Sequence, residues 1–174
     1  MPGDGIGPEV TREAVALLRE AAQLVGIELA IEEHLVGGAA VDATGDPLPA
    51  ETAAACLEAD AVLFGAIGGP RWDREPRERR PEAGLLRLRK HLGVFANLRP
   101  LRIPPGAARR TPLREDVVAT GVDVLIVREL TGGLYFGERG RQVTSEGRRA
   151  FDMMVYSEAE IERLLRLAFE LARQ

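Results

Sequence analysis

Val10, Ala14, Val15, Leu17, Leu18, Ala21, Ala22 and Val25 recur at helical spacing, which predicts a helix opening at Gly7-Pro8 and closing at Gly26. Ile27, Leu29 and Ile31 then alternate with other residues, predicting a strand to about Leu35 that Gly37-Gly38 ends. Asp46-Pro47-Leu48-Pro49 reads as a turn into a second helix from about Pro49 to Glu58. The unbroken apolar run at residues 61–67 predicts a strand covered on both faces. Residues 80–100 read as a short helix, a break at Gly93 and another strand.

Residues 122–130 carry the clearest strand pattern, with Arg128 ending the apolar row of Val124, Ile126 and Leu130. Thr131-Gly132-Gly133 reads as a turn, and residues 134–137 as a short extended piece. Residues 138–149 are polar and glycine-containing, without a core pattern, and suit a projecting loop or arm. Ser157 and Glu160 form a capping box before the stripe Ile161, Leu164, Leu165, Ala168, Leu171 and Ala172. Helix and strand thus alternate, the pattern of an α/β protein with a parallel sheet. After Pro100 the composition shifts. Pro104, Pro105 and Gly106, then Arg109 and Arg110, suggest a connection into another layer or domain.

The 174 residues suffice for one domain, or one and part of a second, and 45% hydrophobic content allows a sizeable core. A net charge of -4 leaves no basic excess to neutralise phosphates, which argues against nucleic acid as a main partner. The single cysteine, Cys56, excludes an internal disulfide and a cysteine-rich zinc site and fits a reducing cytoplasm. Its Ala-rich surroundings predict a small, buried or half-buried thiol. No apolar run approaches membrane-spanning length, and no basic-then-apolar leader opens the chain.

Chemistry enters through arginines. Arg89 lies one helical turn after Leu85 and Leu86, and Arg99 shares a strand face with Phe95 and Asn97. Guanidinium groups beside aliphatic side chains suit a small ligand with carboxylates at one end and an alkyl group at the other. Taken singly, each also reads as a solvated terminus. Trp72, the only tryptophan, sits in the charged loop after Gly68-Gly69-Pro70, where it either packs locally or meets a ligand or interface. The glycine-rich residues 3–9 are neither a dinucleotide fingerprint after a strand nor a Walker A loop. His34 and His91 give no metal pair, and no nucleophile triad can be assembled.

The motifs gain specificity in combination. Pro-Gly-Asp-Gly-Ile-Gly-Pro-Glu (2–9), Gly-Ala-Ile-Gly-Gly-Pro (65–70), Arg-Pro-Glu-Ala-Gly-Leu-Leu-Arg-Leu-Arg-Lys (80–90) and Phe-Ala-Asn-Leu-Arg-Pro (95–100) occur in order. Val-Arg-Glu-Leu-Thr-Gly-Gly-Leu-Tyr-Phe-Gly (127–137) and Met-Val-Tyr-Ser (154–157) follow. Over essentially its whole length the chain resembles the isocitrate/isopropylmalate dehydrogenase family. Within that family the resemblance is strongest to the members that act on 3-isopropylmalate in leucine biosynthesis.

The resemblance implies an α/β fold with a parallel or mixed sheet flanked by helices, incomplete at both ends. It implies a first α/β domain over residues 1–100 and the start of a dimerisation domain over 101–174, with an arm at 138–156. It matches Arg89, Arg99 and Arg128 to the arginines that hold the malate carboxylates, and Leu85 and Leu86 to the wall facing the isopropyl group. Gly69, Pro70, Arg71 and Trp72 match the loop along the nicotinamide side of NAD, and Glu82 the acid near its ribose. Tyr135 matches the tyrosine that protonates carbon after decarboxylation, a general acid. The implied reaction passes a hydride from C2 to NAD and then releases CO₂, assisted by Mg²⁺ or Mn²⁺, in a cytoplasmic homodimer.

The departures lie at the ends. Family members begin with a strand before the Pro-Gly-Asp-Gly loop and continue well beyond residue 174. The resemblance places the catalytic lysine and the metal-binding aspartates in that further part. Here Lys90 is the only lysine and Asp152 the last aspartate. The expectation is therefore most of the first half of such an enzyme, with no metal ligands of its own, exposed apolar surface, weak substrate binding and no turnover. Two other readings stay open: a relative acting on homoisocitrate, tartrate or another 2-hydroxy acid, which Leu85-Leu86 disfavours, and a truncated product that only associates with other chains.

Overall fold

A computed structural model of the chain describes residues 1–105 and 112–174. The connection expected through Gly106, Arg109 and Arg110 lies outside the described residues. The chain is mixed α/β and divides into two compact units, Met1–Leu92 and Gly93–Gln174. The composition shift near residue 100 falls inside a strand of the second unit.

In the first unit the predicted helices are present. α1 spans Gly7–Val25, starts with proline in its first turn and ends at Gly26 in the left-handed region (φ 71°), whose N–H donates to Ala22 and Gln23 carbonyls. α3 spans Ala50–Glu58 and α4 spans Pro81–Leu92, closed by Gly93 at φ 65°. A helix the pattern did not predict, α2 (Gly38–Thr44), lies between α1 and α3. Val36, Leu48, Cys56 and Leu88 form the core, with Met1, Val62, Phe64, Ile67 and Leu92 packed around it. Burial of Cys56 raises its thiol above the ordinary range, as expected for a packing residue.

Both strands predicted in this unit differ from expectation. Residues 27–35 form no regular element and belong to no ladder among the described residues, and Ile27, Leu29, Ile31 and Leu35 are exposed. Among the described residues, 61–67 make only one bridge, Gly3 parallel to Ala66. Met1–Asp4 supplies their neighbour: Gly65 N–H donates to Met1 carbonyl at 3.0 Å, and Asp4 N–H donates to Ala66 carbonyl at 2.7 Å. Strand patterning specifies which side chains face a core. A ladder also needs a partner backbone.

Asp4 holds this unit's loops together. It is buried at 4% exposure. Its Oδ2 accepts from Gly38 N–H at 2.6 Å and Gly68 N–H at 3.2 Å, and its Oδ1 accepts from Ala39 N–H at 2.5 Å. It thereby satisfies the start of α2 and the loop after residue 67 with one carboxylate.

The second unit is an antiparallel ribbon with a helix against it and a hairpin. β1 (Ala96–Ile103) pairs with β2 (Val122–Glu129), with Asn97 opposite Arg128 and Arg99 opposite Ile126. A single helical turn, α5 (Glu115–Val118), precedes β2 and buries Val118 completely. The segment expected to be extended after the turn is a 3-10 turn at Gly133–Tyr135, started by Gly133 at φ 68°. The expected arm is a regular hairpin, β3 (Arg139–Thr144) with β4 (Gly147–Asp152), largely exposed. α6 (Glu158–Leu171) carries the predicted capping box, with Ser157 and Glu160 satisfying each other's backbone, and packs on β2.

Replacing Asp4 by alanine leaves three N–H groups of the first unit without their acceptor. The expected loss is about 3 kcal/mol, since hydrogen bonds to charged groups contribute roughly 1.5–3 kcal/mol and unsatisfied buried donors add to the cost. Urea unfolding followed by Trp72 fluorescence measures it.

Candidate functional site

In the first unit, α4 turns two different stripes outward and inward. Pro81, Gly84 and Leu88 are buried. Gly84 is required because the Pro47 carbonyl lies against it, within the space a Cβ would take. Arg87 fastens the helix to the same turn, donating to Asp46 at 2.5 Å and 3.3 Å and to Leu48 carbonyl at 3.2 Å. The Arg87 hydrogen bond holds the Asp46 carboxyl below its usual range. Glu82, Leu85, Leu86 and Arg89 fall on a second stripe, about a third of a turn round from the buried one. Leu85, Leu86 and Arg89 are half-buried and Glu82 is exposed. This is the grouping of carboxylate, two aliphatic side chains and a guanidinium that the sequence led us to expect, and helix geometry alone produces it.

The loop before α4 approaches Glu82 closely. Gly68 adopts φ 100°, and a Cβ there would lie 2.8 Å from Glu82 Oε1. Gly69 follows, and Pro70–Trp72 form a 3-10 turn. Trp72 packs locally: its ring covers Gly38, and its indole N–H donates to Asp42 Oδ1 at 3.2 Å. Arg71 pairs with the other Asp42 oxygen at 3.2 Å and stands 5.5 Å from the Trp72 ring centre. Loop residues 70–72 are thus pinned to α2, leaving the Gly68-Gly69 backbone beside the Glu82 carboxylate.

In the second unit, the β1–β2 register puts Asn97 and Arg128 directly opposite each other, so they share a face. Arg99, two residues on, shares it too, and Arg99 Nε donates to Asn97 Oδ1 at 2.7 Å. Tyr135 joins them. The 3-10 turn brings its phenol oxygen to Arg128 Nη2, with the guanidinium 5.2 Å from the ring centre. Two of the expected carboxylate-binding arginines and the expected acid therefore stand on one patch. Periodicity placed the arginines. The Arg128–Tyr135 contact needed the turn.

Glu129 was not singled out from the sequence. It follows Arg128, so its side chain leaves the strand on the opposite side. That side chain is only 8% exposed. It accepts from Thr131 N–H at 2.7 Å, Thr131 hydroxyl at 2.6 Å, Gly132 N–H at 2.6 Å and Arg163 Nη2 at 3.1 Å. Arg163 in turn contacts the Thr131 hydroxyl and lies 4.8 Å from the Phe95 ring centre. Burial pushes the Glu129 carboxyl upward, but the Thr131, Gly132 and Arg163 hydrogen bonds outweigh it and hold it below its ordinary 4.5. The available signal was an acid at a strand end followed by Thr-Gly-Gly, a turn whose N–H groups need an acceptor.

Among the described residues, no three of His, Cys, Asp and Glu converge as metal ligands, and no helix is long and apolar enough to cross a membrane.

The chain is thus a mixed α/β protein with a glycine loop set against the start of α4 in its first unit and an arginine–tyrosine patch in its second. The sequence matches the isocitrate/isopropylmalate dehydrogenase family over residues 1–174, and the chain belongs to that family. It is 55% identical to the 3-isopropylmalate dehydrogenase of Moorella thermoacetica over 175 residues, covering all of this chain and 49% of that protein. It is 54% identical to that of Salinibacter ruber, covering all of this chain and 47% of the other. Two solved structures are similar. The isocitrate dehydrogenase of Methylococcus capsulatus has a TM-score of 0.74 and 28% identity, over 99% of this chain and 46% of that one. A β-decarboxylating dehydrogenase of Thermococcus kodakarensis has a TM-score of 0.62 and 34% identity, over 99% and 44%. The chain spans about half the length of the relatives it matches.

Because the Glu129 carboxyl is lowered on folding, the stability it contributes is fully present above about pH 4.5 and is lost as pH falls through the lower folded-state value. Urea midpoints of the second unit, measured from pH 6 down to about pH 3 and compared with Glu129→Gln, should show a shallower acid loss in the variant. Glu160, also lowered, chiefly by the Ser157 N–H, is raised in part by the Glu129 charge, so in the variant its own acid-dependent contribution grows and offsets part of the difference.

Proposed function

We propose that this chain forms the substrate-selecting part of an NAD-dependent, metal-assisted 3-isopropylmalate dehydrogenase. In that reading it serves the oxidative decarboxylation that yields 4-methyl-2-oxopentanoate in leucine biosynthesis. The observation that carries this is the outward stripe of α4, where Leu85 and Leu86 stand between the Glu82 carboxylate and the Arg89 guanidinium. An isopropyl group needs an apolar wall, and the malate carboxylates need cations at a fixed distance from it. The names of the relatives at 54–55% identity support the same substrate.

Arg89, Arg99 and Arg128 are assigned to the carboxylates of 3-isopropylmalate. Their charge favours the bound dianion and orients it. Leu85 and Leu86 exclude water from around the alkyl group. Tyr135, its oxygen already in contact with Arg128, is assigned to deliver a proton to carbon at the end of the reaction. NAD, when bound, accepts the hydride. Gly69, Pro70, Arg71 and Trp72 are assigned to its nicotinamide side and Glu82 to the ribose. The Gly68-Gly69 backbone has no side chain to obstruct a close approach, and a carboxylate beside it can accept from sugar hydroxyls. Mg²⁺ or Mn²⁺ is assigned to the same reaction, with its ligands expected beyond the half of the relatives' length that this chain spans. A homodimer completes the reading. Its assigned contact is the β3–β4 hairpin, where Val143 is 86% exposed.

Calorimetric titration of the chain tests the substrate. 3-Isopropylmalate should bind more tightly than isocitrate, and Leu85→Ala or Leu86→Ala should weaken it by about tenfold, the worth of a few apolar contacts, while leaving isocitrate unaffected. Equal affinity for both acids contradicts the assignment. Trp72 is the only tryptophan, so NADH bound along residues 69–72 should quench its emission and gain sensitised emission of its own. Unchanged Trp72 emission at saturating NADH argues against that placement.

A further inference from the structure

We infer that Glu129 is a positioning residue for the Arg128–Tyr135 pair, acting through the 129–133 turn. The inference rests on the reading of Arg128 and Tyr135 given above and extends it to a residue that touches no ligand. Arg128 and Glu129 are neighbours on β2 with side chains on opposite sides, so anchoring one fixes the direction of the other. The Glu129 carboxylate takes both turn N–H groups, from Thr131 and Gly132, and Arg163 of α6 closes it from outside.

The turn is held from its other side as well. Gly133 N–H donates to Val155 carbonyl at 2.9 Å, and the Tyr156 ring packs tightly on Gly132 and leaves no room for a Cβ at Gly133. Gly137 N–H donates back to Gly133 carbonyl at 2.9 Å, closing the loop that carries Tyr135. Only two residues separate the last N–H that Glu129 holds, at Gly132, from Tyr135. A change in the Glu129 acceptor set therefore moves the start of the 3-10 turn, and with it the phenol that meets Arg128. Arg163 Nε is buried without a partner among the described residues, so the guanidinium is held by its Glu129 and Thr131 contacts and the Phe95 ring rather than by Nε.

The test uses the 174-residue chain labelled with 3-fluorotyrosine. Its two tyrosines, Tyr135 and Tyr156, give two ¹⁹F lines, and Tyr135→Phe identifies the first. Arg128→Lys sets the position of the Tyr135 line when the guanidinium contact is lost. In Glu129→Gln the Tyr135 line should move most of the way to that position. Thr131→Val, a milder removal of one donor to Glu129, should move it in the same direction by less, and decides the matter if Glu129→Gln does not fold. Val118→Ala truncates the same unit's core away from the turn and should leave the line in place. A Tyr135 line unmoved by Glu129→Gln or Thr131→Val, or moved equally by Val118→Ala, overturns the inference. In a second arm, Glu129→Gln should bind 3-isopropylmalate about tenfold more weakly, the size of one lost charge-assisted hydrogen bond, while undiminished affinity overturns the inference. If the unsubstituted chain does not bind 3-isopropylmalate, the functional reading fails by itself, and the ligand-free spectra still decide the positioning.

Discussion

A tight turn exposes backbone N–H groups that point together, and each needs an acceptor. In both units a buried carboxylate meets that need. Asp4 gathers the N–H groups of Gly38, Ala39 and Gly68, which come from two distant stretches of chain. Glu129 gathers those of Thr131 and Gly132 and adds a guanidinium from α6. An ionised carboxylate accepts several hydrogen bonds at once, so one short side chain can fix a loop that has no regular structure. Two of the contacts assigned to chemistry depend on these two loops. Asp4 sets Gly68 against Glu82, and the turn that brings Tyr135 to Arg128 begins at Glu129.

α4 shows a second economy of construction. Its buried stripe, Pro81, Gly84 and Leu88, sets how the helix lies on the core, and Arg87 locks that position to Asp46. Once the buried stripe is set, the direction of Leu85, Leu86 and Arg89 follows from the helical repeat. Binding residues on a helix fixed in this way keep their spacing without support from the ligand.

What could be read from the sequence was what local chemistry decides. α1, α3, α4 and α6 carry their own stripes and stops, and β1 and β2 their alternation. The arginines and leucines of the candidate site were legible because each sits at a repeat position of such an element. α2 was not legible, because Gly37-Gly38 reads as a stop and the acceptor for the first N–H of α2 is Asp4, 34 residues earlier. Residues 27–35 and 61–67 have strand patterns, but a ladder depends on a neighbour that local pattern cannot supply. The polar arm proved a hairpin because backbone pairing and a Gly147 turn (φ 119°) suffice where no core face is needed. Trp72 could have faced a ligand or the protein. Its local partners, Asp42 and the bare surface of Gly38, lie about 30 residues earlier, beyond the reach of local pattern. Tyr135 was placed by resemblance, while its contact with Arg128 depends on Gly133 and a turn that no periodicity encodes.

The proposed function turns on one assignment: that Arg89, Arg99 and Arg128 recognise the carboxylates of a branched malate. The side-chain Nε–Hε spectrum of ¹⁵N-labelled arginines, recorded during titration with 3-isopropylmalate, reads this claim residue by residue. The account predicts that these three resonances shift together along one binding curve, while Arg12 and Arg19 of α1 stay in place. Resonances of Arg89, Arg99 and Arg128 that stay in place while the acid binds, or that move no more than Arg12 and Arg19, would contradict it.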